Sequence, residues 1–296
     1  MVAGGRLLGM RISDLYGRGS PVISFEFSPP KTDKGFRSLF RTIEDLKRLD
    51  PAFVSVTMGA GGSTRRKTVD LVCEIQRDIG ITAMTHLPVV GFERHEITTI
   101  LDRLRDEELA NVLALSGDPP ADEVDSPPPV DGFRYASELT AFIKQGWDLC
   151  IGGGCYPETH PTAPSPDVDL QNLKRKVDAG SDFLISQLFF ENQDFFDFVA
   201  RARAIGIETP IVPGIMPIVS AANIRRITSL CGARIPRELE AELETTADDD
   251  DATAELGVRW ATMQCRELLE RGVLGIHFYT LNRSPATQRI FENLFR

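Results

Sequence analysis

Polar side chains stand at the ends of the apolar segments that alternate along this 296-residue chain. In chain order they are Glu26, Thr57, His86, Asp118, Tyr156, Gln187, and Tyr279 and Arg283 in the group at 279–283. Carboxyl groups can give and take protons, while amide, imidazole and phenol groups can hydrogen-bond a heterocycle. Each residue taken alone is explained more simply as a structural polar group. Their recurrence at equivalent positions favours one shared site.

Glu26 is the candidate general acid. It lies between Phe25 and Phe27 and shortly before Pro29 and Pro30, so we expect its carboxylate to enter a partly apolar pocket. Removal from water disfavours the charged form of a carboxyl group and keeps a proton available.

Asp118 and Gln187 are candidates for ligand recognition. Asp118 follows Gly117 and precedes two prolines, a rigid turn that would hold its carboxylate against a ligand's donor. A structural Asx turn explains Asp118 about as well. Gln187 can donate and accept at once, which suits the amide edge of a heterocycle. The alternative is a buried glutamine that ties down a loop.

A polar stripe follows the loop that carries Tyr156 and His160. Asp169, Asn172 and Lys176 recur at i, i+3 and i+7, which predicts one face of a helix lining a cleft. The alternative is an amphipathic helix with a solvated flank. A second, apolar stripe of the same helix would pack on a sheet, and it consists of Leu170, Leu173 and Val177.

Nucleotide signatures are weak in this sequence. Neither the dinucleotide-binding glycine pattern nor the P-loop follows any predicted strand. The glycine-rich turn at 59–64 could cradle a phosphate through backbone N–H groups near a helix start, but a turn alone is weak support. Together with Arg175 and Lys176 it favours binding of the anionic tail of a nucleotide.

About eight strand–helix units position these residues, which is typical of a (β/α)8 TIM barrel, an α/β fold. An open doubly wound sheet is the alternative. The predicted strands are 21–27, 53–57, 81–87, 111–115, 149–154, 183–190, 211–217 and 276–281. Helices are predicted over 36–49, 67–79, 93–105, 136–145, 169–177, 194–204 and 221–230, with extra helices over 236–244 and 252–270 before the last strand and a terminal helix after it. A barrel places its chemistry at the carboxyl ends of its strands.

Composition excludes several classes of protein. A net charge of −10 argues against a binder of nucleic acid or anionic membranes, which needs a positive field. Five scattered cysteines without a C-x-x-C pair, and four histidines without metal spacing, indicate neither a disulfide framework nor a metal site. The first residues lack the apolar run of a signal sequence or membrane span, so we expect a cytoplasmic protein.

Several motifs resemble the 5,10-methylenetetrahydrofolate reductase family, in the family's order from about residue 21 to the C-terminus. They are Phe25-Glu26-Phe27 with Pro29-Pro30, Val54-Ser55-Val56-Thr57, Gly117-Asp118, Tyr156-Pro157-Glu158 with His160-Pro161, the stretch at 172–180, Gln187 with Phe189-Phe190, Pro213-Gly214-Ile215, and the stretch at 277–283. The resemblance covers the catalytic barrel. We therefore expect one catalytic domain over 1–296, with 1–20 as a leader and no regulatory domain.

The resemblance implies a reductase of one-carbon metabolism and methionine biosynthesis. Such an enzyme carries a hydride from NADH or NADPH, through FAD, to methylenetetrahydrofolate and forms 5-methyltetrahydrofolate, with ping-pong kinetics. It implies that Glu26 helps to open the folate's five-membered ring, and that Asp118 binds the pterin and tunes the flavin. Gln187, Tyr279 and Arg283 would bind substrate. The positions that match flavin contacts are Thr57, His86, Gly117, Asp118, Tyr156, His160, Asp169, Asn172, Arg175 and Lys176. Family members are commonly oligomeric, so the resemblance leaves open whether this chain forms a homo-oligomer.

Two positions depart from the family pattern. Ser116 stands where the family usually has an arginine that would pair with the flavin pyrophosphate, and Ala221 stands nearest to a usual stacking phenylalanine. One alternative is therefore direct hydride transfer from the nicotinamide to the folate without FAD. The sequence is also compatible with a different barrel flavoprotein, such as a proline dehydrogenase-like one, and with a barrel that binds folate or nucleotide without turnover.

Overall fold

The structure, a computed structural model, describes residues 9–58, 62–117 and 131–295. Within these residues, parallel strand segments form one continuous sheet in the order β7-β6-β5-β4-β3-β2-β1-β9-β8. The segments are β1 Val22–Phe27, β2 Phe53–Val56, β3 Ala83–Pro88, β4 Asn111–Leu115, β5 Cys150–Cys155, β6 Phe183–Ser186, β7 Ile211–Val212, β8 Gly214–Ile215 and β9 Gly275–Tyr279.

The barrel closes at Pro213, which separates β7 from β8. Ile211 and Val212 pair with β6, whereas Gly214 and Ile215 pair with β9. Proline has no N–H to give to a ladder, but its carbonyl still accepts the His277 N–H at 3.0 Å. The two segments are thus one interrupted strand that joins both ends of the sheet. The eight-stranded barrel predicted from the sequence is confirmed.

A helix follows each barrel strand, and two extra helices precede β9, as predicted. The helices are α1 Asp33–Lys47, α2 Gly62–Glu74 with a π-helical turn at Ile75–Ile79, α3 Arg94–Asp106, α4 Ala136–Gly146, α5 Pro166–Asp178, α6 Asn192–Ala204, α7 Ala221–Cys231, α8 Arg237–Thr246, α9 Asp250–Glu270 and α10 Pro285–Phe295. The Asp249 side chain accepts from the Ala252 N–H and caps α9, which gives the acidic run at 248–251 a structural role. None of the helices in the described ranges is long and apolar enough to cross a bilayer.

The predicted strand 183–190 is wrong beyond Ser186. Phe189 and Phe190 are buried, but their carbonyls accept hydrogen bonds from α9 side chains instead of a neighbouring strand. Gln264 Nε2 donates to Phe189 O at 2.9 Å and Trp260 Nε1 donates to Phe190 O at 3.3 Å. An apolar run indicates burial, but it does not show which groups will satisfy the backbone.

The interior of the barrel is apolar at its amino-terminal end. A short 3-10 turn, Ile12–Leu15, inserts the fully buried Ile12 there. Asn111 at the start of β4 holds this segment, because its Oδ1 accepts from Ile12 N and its Nδ2 donates to Met10 O, both at 2.8 Å. We call this apolar cluster the lower plug; it consists of Ile12, Val22, Phe53, Met84, Leu113, Cys150, Phe183 and Ile185.

Candidate active site

Three side chains from three strands meet at the upper end of the barrel interior. Glu26 Oε2 lies 3.3 Å from His86 Nε2 and 3.6 Å from His277 Nε2. The carboxyl group keeps 17% of its side-chain surface exposed, while the two histidines keep 8% and 0%. Glu26 is therefore the member of this trio with access to a ligand.

His277 is held more firmly than any other member of the trio. Its Nδ1 lies 2.8 Å from Ser24 Oγ, and its Nε2 lies 3.4 Å from Ser55 Oγ. The ring stacks on Phe53, with centroids 5.9 Å apart and planes 15° apart. An imidazole packed and hydrogen-bonded in this way can contribute to Glu26 only through Nε2.

The pocket around Glu26 is not the partly apolar one expected from its neighbours in sequence. Phe25 and Phe27 are buried in the core between the barrel and its helices, on the opposite face of β1. Successive strand residues point to opposite faces, so the groups beside Glu26 come from other strands. They are His86 and His277. Burial lowers the pKa of His86, outweighing the carboxylate's opposing effect, so its imidazole is neutral near pH 7.

His277 belongs to the motif at 277–283, but no role follows for it from the sequence alone. The register pairs Ser24 with His277 and Glu26 with Tyr279, so these four residues share the inward face of two adjacent strands. Alternation along the last strand, combined with its pairing to the first strand in a closed barrel, could have identified His277.

Gln187 lies just past β6 with its amide oxygen engaged and its NH2 group available. Its Oε1 accepts from Leu188 N at 2.8 Å, and within the described residues its NH2 group makes no hydrogen bond. Gln187 shares a small concavity with the loop that carries Tyr156 and with the residues that follow α7. It can therefore donate to a ligand's acceptor.

Tyr279, predicted to bind substrate, directs its hydroxyl at the protein backbone. The phenol donates to Ser186 O at 2.6 Å, and burial raises the pKa of Tyr279 well above its usual value, so it stays protonated. Gly214 lies against this contact, where an added Cβ would be 2.6 Å from the phenol oxygen and 2.2 Å from Ser186 O. The Tyr279 hydroxyl therefore links β9 to the end of β6 beside the interrupted strand at Pro213, and it does not face a ligand.

Arg283 follows a turn with an unusual backbone. Leu281 and Asn282 have φ angles of 51° and 57°, in the left-handed region. Asn282 ties this turn to Ser28, donating from Nδ2 to Ser28 O at 2.7 Å and accepting from Ser28 N at 2.8 Å. The Arg283 side chain is exposed and makes no ion pair or hydrogen bond with the part of the chain that the structure describes. It is free to meet an anionic ligand.

The polar stripe on α5 divides into two pairs. Lys176 faces β5 and Asp169 faces the loop after it, because Lys176 Nζ donates to Gly154 O at 2.7 Å and Asp169 Oδ2 accepts from His160 N at 2.9 Å. Burial lowers the pKa of Lys176. Asn172 and Arg175 are exposed, and Arg175 donates to the Asn172 amide oxygen at 2.7 Å. The exposed pair offers a cation and an amide to a phosphate or a ribose.

The loop between β5 and α5 places two rings beside this stripe. The rings of Tyr156 and His160 meet edge to face, with centroids 4.5 Å apart. Thr159 between them has a φ of 108°, which is a strained backbone conformation for a β-branched residue. The backbone of His160 is tied to the α5 stripe, because its N–H donates to Asp169 Oδ2.

Of the remaining predicted positions, the structure describes Thr57 and Gly117. Thr57 is half-buried and donates to Ser28 Oγ at 3.0 Å. Gly117 has a φ of 80°, and a Cβ there would be 2.5 Å from Pro88 Cβ, so glycine is required. Asp118 lies outside the described residues. Among the described residues, no cluster of histidine, cysteine and carboxylate groups has the arrangement of a metal site.

Comparison with known proteins identifies the family. A family model described as methylenetetrahydrofolate reductase matches residues 11–295. The chain belongs to the methylenetetrahydrofolate reductase family.

Relatives within this family differ in length. "Methylenetetrahydrofolate reductase (NADH) 1" of Arabidopsis thaliana is 37% identical over 297 residues, which cover 96% of this chain and 50% of the plant protein. "5,10-methylenetetrahydrofolate reductase" of Salmonella typhimurium is 34% identical over 277 residues, which cover 94% of this chain and 92% of the bacterial protein. The chain thus spans about half the length of the plant and yeast relatives that it matches.

A solved structure shares the barrel. It is an uncharacterized protein from Clostridium thermocellum that binds two copies of 5-methyl-5,6,7,8-tetrahydrofolic acid. The TM-score is 0.66 at 18% sequence identity, over 96% of this chain and 98% of the other. At this identity the likeness supports the fold alone.

The two departures from the methylenetetrahydrofolate reductase pattern have different surroundings. Ser116 is exposed just after β4, and its carbonyl accepts the Val90 N–H at 3.1 Å. Ala221 begins α7 and is buried among Ile218, Ile224 and residues of α8 and α9. Ala221 therefore cannot stack on a ligand, whereas the side chain at position 116 is exposed.

Proposed function

We propose that this protein reduces 5,10-methylenetetrahydrofolate to 5-methyltetrahydrofolate with a hydride from NADH or NADPH. The observation that carries the proposal is the partly exposed Glu26 carboxyl group, set between two buried imidazoles at the mouth of the barrel. The names of the relatives support the same reaction.

Glu26 supplies the proton that the reaction needs. The methylene group of the substrate bridges two nitrogens, and one C–N bond must break before a hydride can add. Its electron pair stays on the departing nitrogen, which takes the proton from Glu26, and an iminium forms at the other nitrogen. The hydride then adds to the iminium carbon and gives a methyl group. A positioned acid typically accelerates such a step by about 10²- to 10⁴-fold.

Other side chains orient the folate. Gln187 presents its free NH2 group to an acceptor on the pterin, and Arg283 meets the anionic tail. We assign the pterin-binding role of Asp118 from the family resemblance. Tyr279 acts indirectly, because its phenol holds Ser186 and therefore fixes the start of the loop that carries Gln187.

We propose FAD as the cofactor, on the side of the cleft formed by β5 and α5. The donor set fits a dinucleotide, since α5 presents exposed Asn172 and Arg175 and is tied through Asp169 to the loop that carries the Tyr156 and His160 rings. Thr57, Asp169 and Lys176 complete the proposed contacts, with Lys176 acting through Gly154. The chemistry that FAD supplies when bound is the storage of a hydride between donor and acceptor.

Direct transfer of a hydride from the nicotinamide to the folate is the second candidate. Ser116 brings no charge to a pyrophosphate, and a missing charged contact costs about 1.5 to 3 kcal/mol, roughly ten- to a hundredfold in affinity. A barrel that binds folate without turnover is less well supported, because a binder has little use for a carboxyl group held between two imidazoles.

We also propose that the protein works in the cytosol. All five cysteines lie in the described part of the chain and are free thiols, which suits a reducing compartment.

One purification and one assay separate these candidates. The protein is purified without added cofactor, its visible absorbance is recorded, and reduction of methylenetetrahydrofolate is followed with NADH and with NADPH, each with and without FAD. We expect flavin absorbance or FAD-dependent turnover. Turnover by a colourless protein without FAD would support direct transfer, and no turnover under any condition would contradict the reductase proposal.

A further inference from the structure

The reaction proposed above gives no role to His277, although this is the residue that the site holds most firmly. Its Nε2 faces Glu26 Oε2 at 3.6 Å, and its two ring nitrogens also face two serine hydroxyls, Ser24 at Nδ1 and Ser55 at Nε2. The ring is fully buried against Phe53. A strand interior that needed only packing would be filled by an apolar side chain here.

An acid that gives up its proton in each turnover has to be accommodated in two states. A protonated carboxyl group needs an acceptor, and a carboxylate needs a donor; a partner missing in a buried site costs free energy. A neutral imidazole has one N–H and one bare nitrogen, so its Nε2 can take either role. The role that it takes depends on what faces Nδ1.

We propose that His277, hydrogen-bonded to Ser24, changes its tautomer when Glu26 gains or loses its proton. The imidazole thereby positions Glu26 in both of its protonation states. When Glu26 is protonated, its O–H donates to bare Nε2 and the Nδ1–H donates to Ser24 Oγ. When Glu26 is ionised, Nε2–H donates to the carboxylate and Nδ1 accepts from the Ser24 hydroxyl. The serine hydroxyl rotates between donor and acceptor, so in both states each ring nitrogen of His277 has a matching partner.

Among the described groups around Glu26, His277 is the one whose second ring nitrogen meets a hydroxyl group that can exchange roles with it. The titratable side chains that face Glu26 and His277 are His86 from β3 and Tyr279 from β9. His86 Nε2 lies 3.3 Å from Glu26 but has no hydrogen-bond partner among the described residues, and Tyr279 gives its proton to Ser186 O. His277 is a positioning residue in this scheme, since it acts through Glu26. The inference rests on the proposed function only in taking Glu26 as the acid.

The tautomer can be observed without any turnover. The full chain is labelled with nitrogen-15 in its four histidines, and the ring nitrogens are followed by NMR as the pH is changed. His277→Gln identifies the His277 signals. We expect the ring proton to move from Nδ1 to Nε2 as Glu26 ionises, and to stay on one nitrogen in Glu26→Gln. A His277 ring that keeps one tautomer throughout in the unmodified chain would overturn the proposal.

The pH profile of folate reduction tests the role of Ser24. In Ser24→Ala, Nδ1 loses its hydrogen-bond partner. A buried N–H without an acceptor is unfavourable, so the ring proton should stay on Nε2 and leave Nδ1 bare. Nε2–H then favours the ionised carboxylate, so the alkaline limb of the profile should move about one pH unit lower, which is about a tenfold lower rate on that limb. Ser24→Thr keeps a hydroxyl and should keep the profile of the unmodified protein. If Ser24→Ala lowered the rate equally at every pH, Ser24 would have a merely structural role, and the proposal would be overturned.

Failure of this inference and failure of the proposed function give different results. An unmodified protein without folate turnover would contradict the reductase proposal, while the NMR measurement would still decide whether the tautomer follows Glu26. Thermal unfolding of each variant identifies any variant whose fold is lost.

Discussion

The two halves of the barrel interior are built from the same strands but have opposite character. In β2 the inward residue changes from Phe53 to Ser55, and in β3 it changes from Met84 to His86. These pairs are two residues apart, which is about 7 Å along a strand. The lower half is apolar and closed by Ile12, whereas the upper half is polar and opens toward the cleft. Stability and chemistry are thus separated along each strand rather than between domains.

The apolar half affects the polar half electrostatically. Because the lower plug fills the barrel beneath Ser24 and His277, water reaches the trio of Glu26, His86 and His277 only from the cleft. Interactions between charges and dipoles are stronger where water is excluded. Variants in the upper half should therefore change turnover, and variants in the lower half should change the free energy of unfolding.

The largest effect is expected in the upper half, from Glu26→Gln. An amide has the shape of the carboxyl group but cannot donate a catalytic proton, so we expect folate turnover to fall by about 10²- to 10⁴-fold. The free energy of unfolding should change by less than about 1 kcal/mol, since no core contact is removed. Steady-state kinetics and chemical denaturation measure the two quantities. Turnover close to that of the unmodified protein would remove Glu26 from the role of acid.

In the lower half, Ile12→Ala should have the reverse pattern. The side chain is fully buried in the lower plug, so its truncation should lower the free energy of unfolding by about 2 to 5 kcal/mol. Turnover below the unfolding temperature should stay within about twofold, because no group of the site is touched. Leu230→Ala is the matched control: Leu230 is 70% exposed, and its truncation should change stability by no more than about 0.5 kcal/mol. Equal losses in both variants would mean that Ile12 does not support the core.

The sequence predicted this division only in part. The order of strands and helices, the extra helices α8 and α9, and the polar residues at strand ends all follow from local pattern. The Asn111 bonds to Met10 and Ile12 and the Ser24–His277 contact join positions 99 or more residues apart, so no local pattern contains them. The pocket expected around Glu26 was wrong for the same reason: strand neighbours point away, and groups from distant strands surround the carboxylate.

A smaller effect is expected from Ser116→Arg, which adds a charge to the upper rim. If FAD lies where we propose, a guanidinium at this exposed position should pair with its pyrophosphate and raise FAD affinity about ten- to a hundredfold, or about 1.5 to 3 kcal/mol. Titration of the apoprotein, followed by the quenching of flavin fluorescence, measures the dissociation constant. Ser116→Gln is the control, with a long polar side chain and no charge. An equal gain in both variants would assign the effect to length rather than charge.

The smallest effect is expected at Thr159, where the upper half holds a strained backbone. Its φ of 108° costs about 1 to 3 kcal/mol for a residue with a Cβ, and Thr159→Gly removes that strain. Glycine also gives the unfolded chain more freedom, which offsets about 0.4 to 1 kcal/mol. We therefore expect Thr159→Gly to raise the free energy of unfolding by about 0 to 2.6 kcal/mol, as measured by chemical denaturation.

Thr159→Ala separates strain from the loss of the threonine side chain. Alanine keeps a Cβ and most of the strain, so it should be less stable than Thr159→Gly, although both lack the hydroxyl. The looser glycine loop should also bind flavin more weakly, because Tyr156 and His160 on either side of it lose their fixed separation of 4.5 Å. A glycine variant that is less stable than the alanine variant would mean that this conformation carries no strain.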